Sequence, residues 1–375
     1  MNARLAAVVL AGGFSSRMKQ FKPLLPLGAD TVTDRVISTF LSAGADVYLV
    51  AGYRHEDILA GVKSRDITFI YNPDYEQGMF SSIQAGLRRL KPEHQAFFIQ
   101  PVDIPLVRPA TIKKLMAAAA ENPGHIIYPA FGGKRGHPPL IPSALIPAIL
   151  AWQGGGGLKA VLDTQEKTAR EVAVADGSIL LDMDTPQDYQ KILERFRRYE
   201  LPTDEERREI LYTICRLPAE RIKHCLKVAE AAAAIARALN TAGYSVDTEI
   251  VHAAAGLHDI AKGQPKHDIA GGEVLRGVGF GKVADIVAVH SDLAGGNTAL
   301  PLEAKVVYIA DKLIRGEKPV SLEERYSLDN RPFEVTPEAA EAIKERLEAA
   351  KKVKKELEDI LERSLEEIID GGLTA

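Results

Sequence analysis

The strongest constraint on this chain is a change of texture near residue 200. Before it, short apolar runs at residues 6–10, 47–51, 67–71 and 96–100 alternate with stretches of helical spacing at 33–43 and 81–90. The runs are apolar throughout, as in strands covered on both faces. Strand and helix in alternation imply a doubly wound, mostly parallel α/β sheet of Rossmann-like form. Beyond Glu200-Leu-Pro-Thr203 no strand-like run follows, while residues 228–239 and 249–258 have helical spacing, so an all-α region is expected. Thr203 can cap a helix that opens Asp204-Glu-Glu. Charge changes at the same place: residues 1–200 carry 23 Lys and Arg against 20 Asp and Glu, and the remainder 24 against 31. The expected division is 1–199, 200–316 and a helical extension at 317–375.

Hydrophobic residues make up 46% and charged ones 26%, a globular composition. A net charge of −4 without a basic excess gives no reason to expect a nucleic-acid partner. No apolar run approaches the roughly 20 residues that span a bilayer, and residues 1–10 lead into a glycine turn without a cleavage pattern. Cys215 and Cys225, the two cysteines, lack CxxC spacing and are expected to be buried and reduced. A cytoplasmic protein is expected. Thr336-Pro337-Glu338 opens a last helical stretch, with Ile343, Leu347, Leu357, Leu361, Leu365 and Ile368 spaced along one face. It is expected to pack on its own domain, with a homodimer contact as the alternative. The alanine runs at 117–120 and 231–234 imply close helix packing.

The first run ends in Leu10-Ala-Gly-Gly-Phe-Ser-Ser-Arg17-Met, with Lys22-Pro23 shortly after. Glycines at a strand end let backbone N–H groups approach phosphate oxygens. Arg17 can fork onto a phosphate and Lys22 can act on it as a point charge. This stretch resembles the signature of the sugar-phosphate and molybdenum-cofactor (MobA-like) nucleotidylyltransferases. Asn72-Pro-Asp-Tyr-Glu-Gln-Gly78-Met-Phe-Ser-Ser82 resembles that family's base and acceptor loop, and Pro101-Val-Asp103-Ile-Pro its metal-binding aspartate. Gly133-Lys-Arg135-Gly136-His137-Pro138 is similar to the acceptor stretch of the cytidylyl branch, and Asp182-Met-Asp184-Thr-Pro to the closing element. The resemblance implies nucleotide contacts from Leu10, Ala11, Gly12, Gly13, Ser15, Arg17, Lys22, Gly78 and Ser82. It implies acceptor contacts from Arg135, Gly136, His137 and Pro138, and Mg²⁺ on Asp103 and Asp184. Arg17, Lys22 and Asp103 would carry catalysis. LAGG in place of LAAG leaves CTP and GTP both open as donors. Gly154-Gly-Gly-Gly157 stands where relatives have an acidic loop, which keeps a sugar or alditol phosphate open beside molybdopterin as acceptor.

The second half contains His224, His258-Asp259, His267, His290 and Asp311, mostly within apolar helical stretches. Imidazole and carboxylate suit Mn, Fe, Zn, Ni or Co, and burying Asp259 and Asp311 without a cation would be costly. The order H…HD…D resembles the HD phosphohydrolase superfamily, with Asp259 catalytic and His267 and His290 building a second metal position. Lys262 is a phosphate contact or a solvated side chain; His252 is structural. The two resemblances together imply a bifunctional enzyme: a nucleotidyl transferase, releasing pyrophosphate, joined to a metal-dependent hydrolase of phosphoesters or phosphoanhydrides. The alternatives are an HD half that senses a nucleotide without cutting it and a chaperone that hands cofactor to a molybdoenzyme.

Overall fold

A computed structural model describes residues 4–14, 16–18, 20–64, 66–291, 300–327 and 336–373. It divides into two compact units, Met1–Tyr199 and Glu200–Ala375.

The first unit is built on strands β1 (Arg4–Leu10), β2 (Asp46–Ala51), β3 (Ile67–Tyr71), β4 (His94–Pro101), β5 (Ile126–Phe131), β6 (Lys134–Arg135), β7 (Leu140–Pro142) and β8 (Ala169–Ala173). Their order is β8-β5-β7-β4-β1-β2-β3, with β6 paired to β5. The sheet is mostly parallel, but β7 lies antiparallel between β4 and β5, and β6 is antiparallel to β5. Helices α1 (Val32–Ala43), α2 (Met79–Leu87), α3 (Pro109–Glu121) and α4 (Pro186–Arg197) cover it.

Strand pleating explains the continuous apolar runs. Leu5, Ala7 and Val9 of β1 enter one core with Val36, Phe40, Leu115 and Ile192, while Ala6, Val8 and Leu10 enter the other with Ile83, Leu87, Ile149 and Leu162. On the second face α2 lies close to the sheet over Gly86. A Cβ there would stand 2.5 Å from Val8 Cγ1 and 3.1 Å from Val50 Cγ2. From β1 the chain order runs outward in both directions, to β2 on one side and to β4 on the other. In an open α/β sheet, ligands bind beyond the carboxyl ends of strands at such a switch point.

The second unit is helical: α5 (Ala219–Thr241), α6 (Thr248–Leu257), α7 (His267–Gly277), α8 (Gly281–Val287), α9 (Leu302–Leu313), α10 (Pro337–Leu361) and α11 (Leu365–Leu373). Thr203 caps the opening helix Asp204–Arg208 through a reciprocal box with Glu206. The alanines at 231–234 on α5 are buried, and Gly372 of α11 faces Ala234, where a Cβ would approach to 2.7 Å. The C-terminal segment packs back on this unit: Ile343, Ala350, Val353 and Leu357 of α10 are buried, and Lys305 of α9 pairs with Glu356. A two-residue ladder, Ile314–Arg315 with Lys318–Pro319, is the strand pairing that the sequence did not suggest. Cys225 is buried, but Cys215 is half-buried, because it ends a π-turn (Glu209–Ile214) that leaves its side chain near the surface.

Replacing Gly86 by valine should overpack the contact between α2 and the sheet at a cost of about 1–3 kcal/mol. The urea midpoint followed by far-ultraviolet circular dichroism should fall; an unchanged midpoint would show that α2 can move away without penalty.

Candidate functional sites

At the switch point, the carboxyl ends of β1 and β4 open a cavity of about 400 Å³ lined by Leu10, Ala11, Gly12, Gly13, Lys22, Gly78, Ser82 and Asp103, among others. Gly12 is required by close approach, since a Cβ would meet Ser82 Oγ at 3.2 Å and the Gly52 nitrogen at 3.3 Å. Gly78 adopts φ +98°, which favours glycine. Asn72 donates to the Ser81 and Ser82 hydroxyls at 2.9 and 3.0 Å, fixing the start of α2 at the cavity wall. Phe14 and Tyr75 also line the cavity, and Phe14 rests between Tyr53 and Tyr75, its centroid 5.3 and 5.5 Å from theirs.

Lys22 joins two carboxylates. Its Nζ donates to Asp184 at 2.8 Å and lies 3.8 Å from Asp103; Arg17 reaches Asp184 at 2.9 Å. Burial pushes the Asp103 carboxyl above the usual range against the pull of Lys22, while the hydrogen bond from Lys22 holds Asp184 below it. Thr185, not Asp184, caps α4, which leaves the Asp184 carboxylate to the cavity side chains. Two hard oxygen donors converging on one cation form a donor set suited to Mg²⁺. Ser15 lies outside the described residues.

A second cavity of about 480 Å³ shares Met79 and Pro101 with the first and is lined by Arg135, Gly136, His137, Lys159 and the apolar Phe80, Ile83, Ile99, Leu158 and Leu162. Pro138 follows His137 through a cis peptide bond, and Pro139 reaches the cavity. Arg135 is held by Glu166 at 2.6 and 2.9 Å and by Glu171 at 2.7 Å, so its charge is already matched. His137 is kept neutral by burial, and its Nδ1 is buried without a hydrogen-bond partner among the described residues. Lys159, which follows the glycine run, is a cation of this cavity that sequence reading passed over.

In the second unit two triads of ligand atoms share one carboxylate: His224, His258 and Asp259, and Asp259, His267 and His290, each set within 4.8 Å. Asp311 Oδ1 stands 3.3 Å from His224 Nε2 and 3.5 Å from His258 Nε2. Backbone carbonyls orient the rings. Nδ1 of His224, His258 and His290 donates to the carbonyls of Gly316 (3.0 Å), Ala255 (2.7 Å) and Val287 (2.7 Å), turning each Nε2 inward. The short ladder after α9 is what presents Gly316, at φ +62°, to His224. Nε2 atoms of His258 and His267 are buried without a hydrogen-bond partner among the described residues. Inward-facing imidazole lone pairs beside buried carboxylates fit a divalent metal.

Charge around the cluster is dense. Arg221 donates to Asp259 at 2.8 Å and Lys262 at 3.2 Å; Lys312 donates to Asp311 at 2.7 Å and Arg325 at 3.4 Å. Burial opposes ionisation of both aspartates, yet His290 and His258 hold Asp259, and Lys312 with His224 and His258 hold Asp311, well below the usual carboxylate range. Burial lowers His267 and His290, keeping them neutral as ligands must be; at His258 burial is outweighed by Cys225 and Asp311, which push this ring up, and a metal ion taking Nε2 would displace the proton there. His252 lies outside the cluster. Sequence reading missed Arg221, one turn before His224 on α5, and Lys312, next to Asp311; either could have been found by helical spacing. It also missed Arg325, which only tertiary packing brings in.

Residues 7–172 match the MobA-like NTP transferase domain family, and residues 221–316 match the HD domain. Over 190 residues the chain is 30% identical to the molybdenum cofactor cytidylyltransferase of Escherichia coli (strain K12), spanning 50% of this chain and 95% of that protein. It is 27% identical over 211 residues to a probable molybdenum cofactor guanylyltransferase of Carboxydothermus hydrogenoformans, across 51% of this chain and 96% of the relative. Rv0371c from Mycobacterium tuberculosis H37Rv, a solved structure, is 26% identical with a TM-score of 0.47, across 52% of this chain and 99% of that one. The chain belongs to the MobA-like nucleotidyltransferases and carries an HD domain after the transferase domain.

Proposed function

We propose that the first unit transfers a nucleotidyl group from CTP, or in a second reading GTP, to the phosphate of a molybdopterin-type acceptor, releasing pyrophosphate. The convergence of Lys22, Asp103 and Asp184 at the switch point carries this reading. An acceptor phosphate must approach a triphosphate, so holding two polyanions together is most of the task. Lys22 and Arg17 supply fixed positive charge, the glycine turn supplies N–H groups, and Asp103 and Asp184 would hold Mg²⁺, which neutralises phosphate charge when bound. The apolar second cavity suits a planar heterocycle better than a sugar, which favours a pterin acceptor. The cytidylyltransferase relative favours CTP.

The second unit, in the same proposal, hydrolyses a phosphoester or phosphoanhydride. Divalent ions held by His224, His258, His267, His290, Asp259 and Asp311 would supply Lewis acidity there. Arg221 and Lys262 stand beside Asp259, where they can bind substrate phosphate. The chain would act in the cytoplasm.

With α-labelled CTP or GTP, Mg²⁺ and molybdopterin, transfer is expected with one nucleotide in preference. Lys22→Ala should lower kcat/KM about 100-fold or more, the scale for losing a charge at the reacting phosphates. No transfer with either nucleotide would overturn the acceptor assignment.

Metal content by mass spectrometry should reach two divalent ions per chain in the second unit. Because Asp259 belongs to both triads, Asp259→Ala should lose both ions, whereas His267→Ala should lose one. Full metal content in Asp259→Ala would exclude the shared-ligand arrangement. Retained transfer with abolished phosphatase activity in Asp259→Ala marks two independent enzymes; no phosphatase activity in the parent, with altered transfer in the variant, marks a sensor.

A further inference from the structure

The cavity at the carboxyl ends of β1 and β4 is lined by two kinds of side chain. Lys22 and Asp103 can meet a triphosphate and its metal, whereas Phe14, Tyr75 and Met79 offer aromatic and apolar surface that phosphate chemistry does not use. Phe14 and Met79 are 51% and 58% exposed, large side chains held in water beside a cavity. We infer that Phe14 and Tyr75 form a nucleobase seat, that the base lies against the open surface of Phe14, and that the seat accepts pyrimidine and purine alike. The inference rests on the nucleotidyl-transfer reading of this cavity given above.

The seat is built into the fold. Phe14 follows the glycine turn and joins neither core of the sheet. Aromatic neighbours hold its ring instead, Tyr53 tilted at 44° and Tyr75 at 57°. Tyr53 is backed by Phe21, edge-on at 5.9 Å, and the Arg54 guanidinium lies 4.6 Å from the Phe21 centroid. Tyr75 is fixed from behind. A Cβ on Gly52 would overlap Tyr75 Cβ and stand 2.6 Å from its Cγ, so the tyrosine packs there only against glycine. The turn that carries Tyr75 is tied at its start: the Asp74 N–H donates to Asn72 Oδ1 at 3.1 Å, and the Ser81 hydroxyl donates to the Asp74 carbonyl at 2.8 Å.

Stacking sets what this seat can read. Tilted contacts with two tyrosines leave half of Phe14 open, and a planar heterocycle covers an aromatic face more fully than a sugar or a phosphate does. Every nucleobase has such a face, so a gain of about tenfold in affinity is common to all of them. Met79, in the same cavity, has a flexible thioether that can adapt to one ring or two. The choice between CTP and GTP then falls to hydrogen-bonding groups and not to the aromatic surface.

The test uses the full chain carrying Asp259→Ala, which removes the carboxylate common to both triads of the second unit. Calorimetric titrations with CTP, GTP and inorganic tripolyphosphate are run in Mg²⁺, and binding that Lys22→Ala abolishes is assigned to the first unit. Phe14→Ala is expected to raise Kd for CTP and for GTP about tenfold each, the scale of one base stacked on one ring, and to leave tripolyphosphate within about twofold. Phe14→Tyr should retain the affinity and Phe14→Leu should not. Unchanged nucleotide binding in Phe14→Ala, equal weakening of tripolyphosphate, or full recovery with leucine overturns the seat. Nucleotidyl transfer by a chain whose nucleotide affinity ignores Phe14→Ala sinks the seat alone. The expected binding pattern without transfer to any acceptor upholds the seat and sinks the transferase reading. A parent that binds neither nucleotide overturns both.

Discussion

A carboxylate taken out of water must find positive charge, and the second unit is arranged around two that have been. Asp259 and Asp311 are 1% and 2% exposed. Leaving either uncompensated would cost several kcal/mol. The surrounding helices answer with four imidazoles and with Arg221, Lys262, Lys312 and Arg325. Those ligands can converge only because α5, α6 and α9 approach closely over buried alanines at 231–234 and 253–255. Small residues set the helix separation, the separation sets the ligand spacing, and three backbone carbonyls fix the ring orientations.

The first unit meets the same electrostatic demand with looser means. Its carboxylates sit at strand and loop ends, each about a quarter exposed, and share one lysine. A site that must admit a triphosphate and an acceptor benefits from charges that can be redistributed between protein and ligand. Cations paired with carboxylates before substrate arrives do not repel each other, and phosphate oxygens can later replace the carboxylate partners. The cost is weaker preorganisation, which the rigid strand ends partly offset by holding Gly12 and Asp103 in fixed register.

Much of this was legible in the sequence because burial on both faces writes an unmistakable pattern. β1, β2, β3 and β4 are continuous apolar runs for the reason their pleats show: alternate residues enter different cores. The antiparallel β7 was not legible; three residues beside Pro138 and Pro139 carry no periodicity. The ladder that presents Gly316 to His224 is shorter still. His224, His258, Asp259, His267, His290 and Asp311 could be picked out as a group because polar residues in apolar helices are conspicuous. Arg325 could not, since an arginine on a short helix reads as solvated until tertiary packing shows what it faces. Arg135 erred in the other direction: its motif context suggests an acceptor cation, whereas Glu166 and Glu171, distant in sequence, already match its charge.

The two units also differ in how their cavities treat water, and the proposed chemistries require that difference. Nucleotidyl transfer to an acceptor competes with hydrolysis of the same triphosphate, so water must be kept from the phosphorus that the acceptor attacks. Met79 and Pro101, common to the two cavities of the first unit, together with Phe80, Ile83, Ile99 and Leu158, place apolar surface where the two proposed substrates would meet. Hydrolysis needs water at phosphorus. The cavities of the second unit are lined instead mostly by charged and polar side chains, among them Arg221, Lys262, Lys266, Asp268, Ser291 and Lys312, which favour hydration. In the proposed functions both units would collect positive charge for phosphate, and the side chains between those charges would decide whether an acceptor or water reaches the phosphorus.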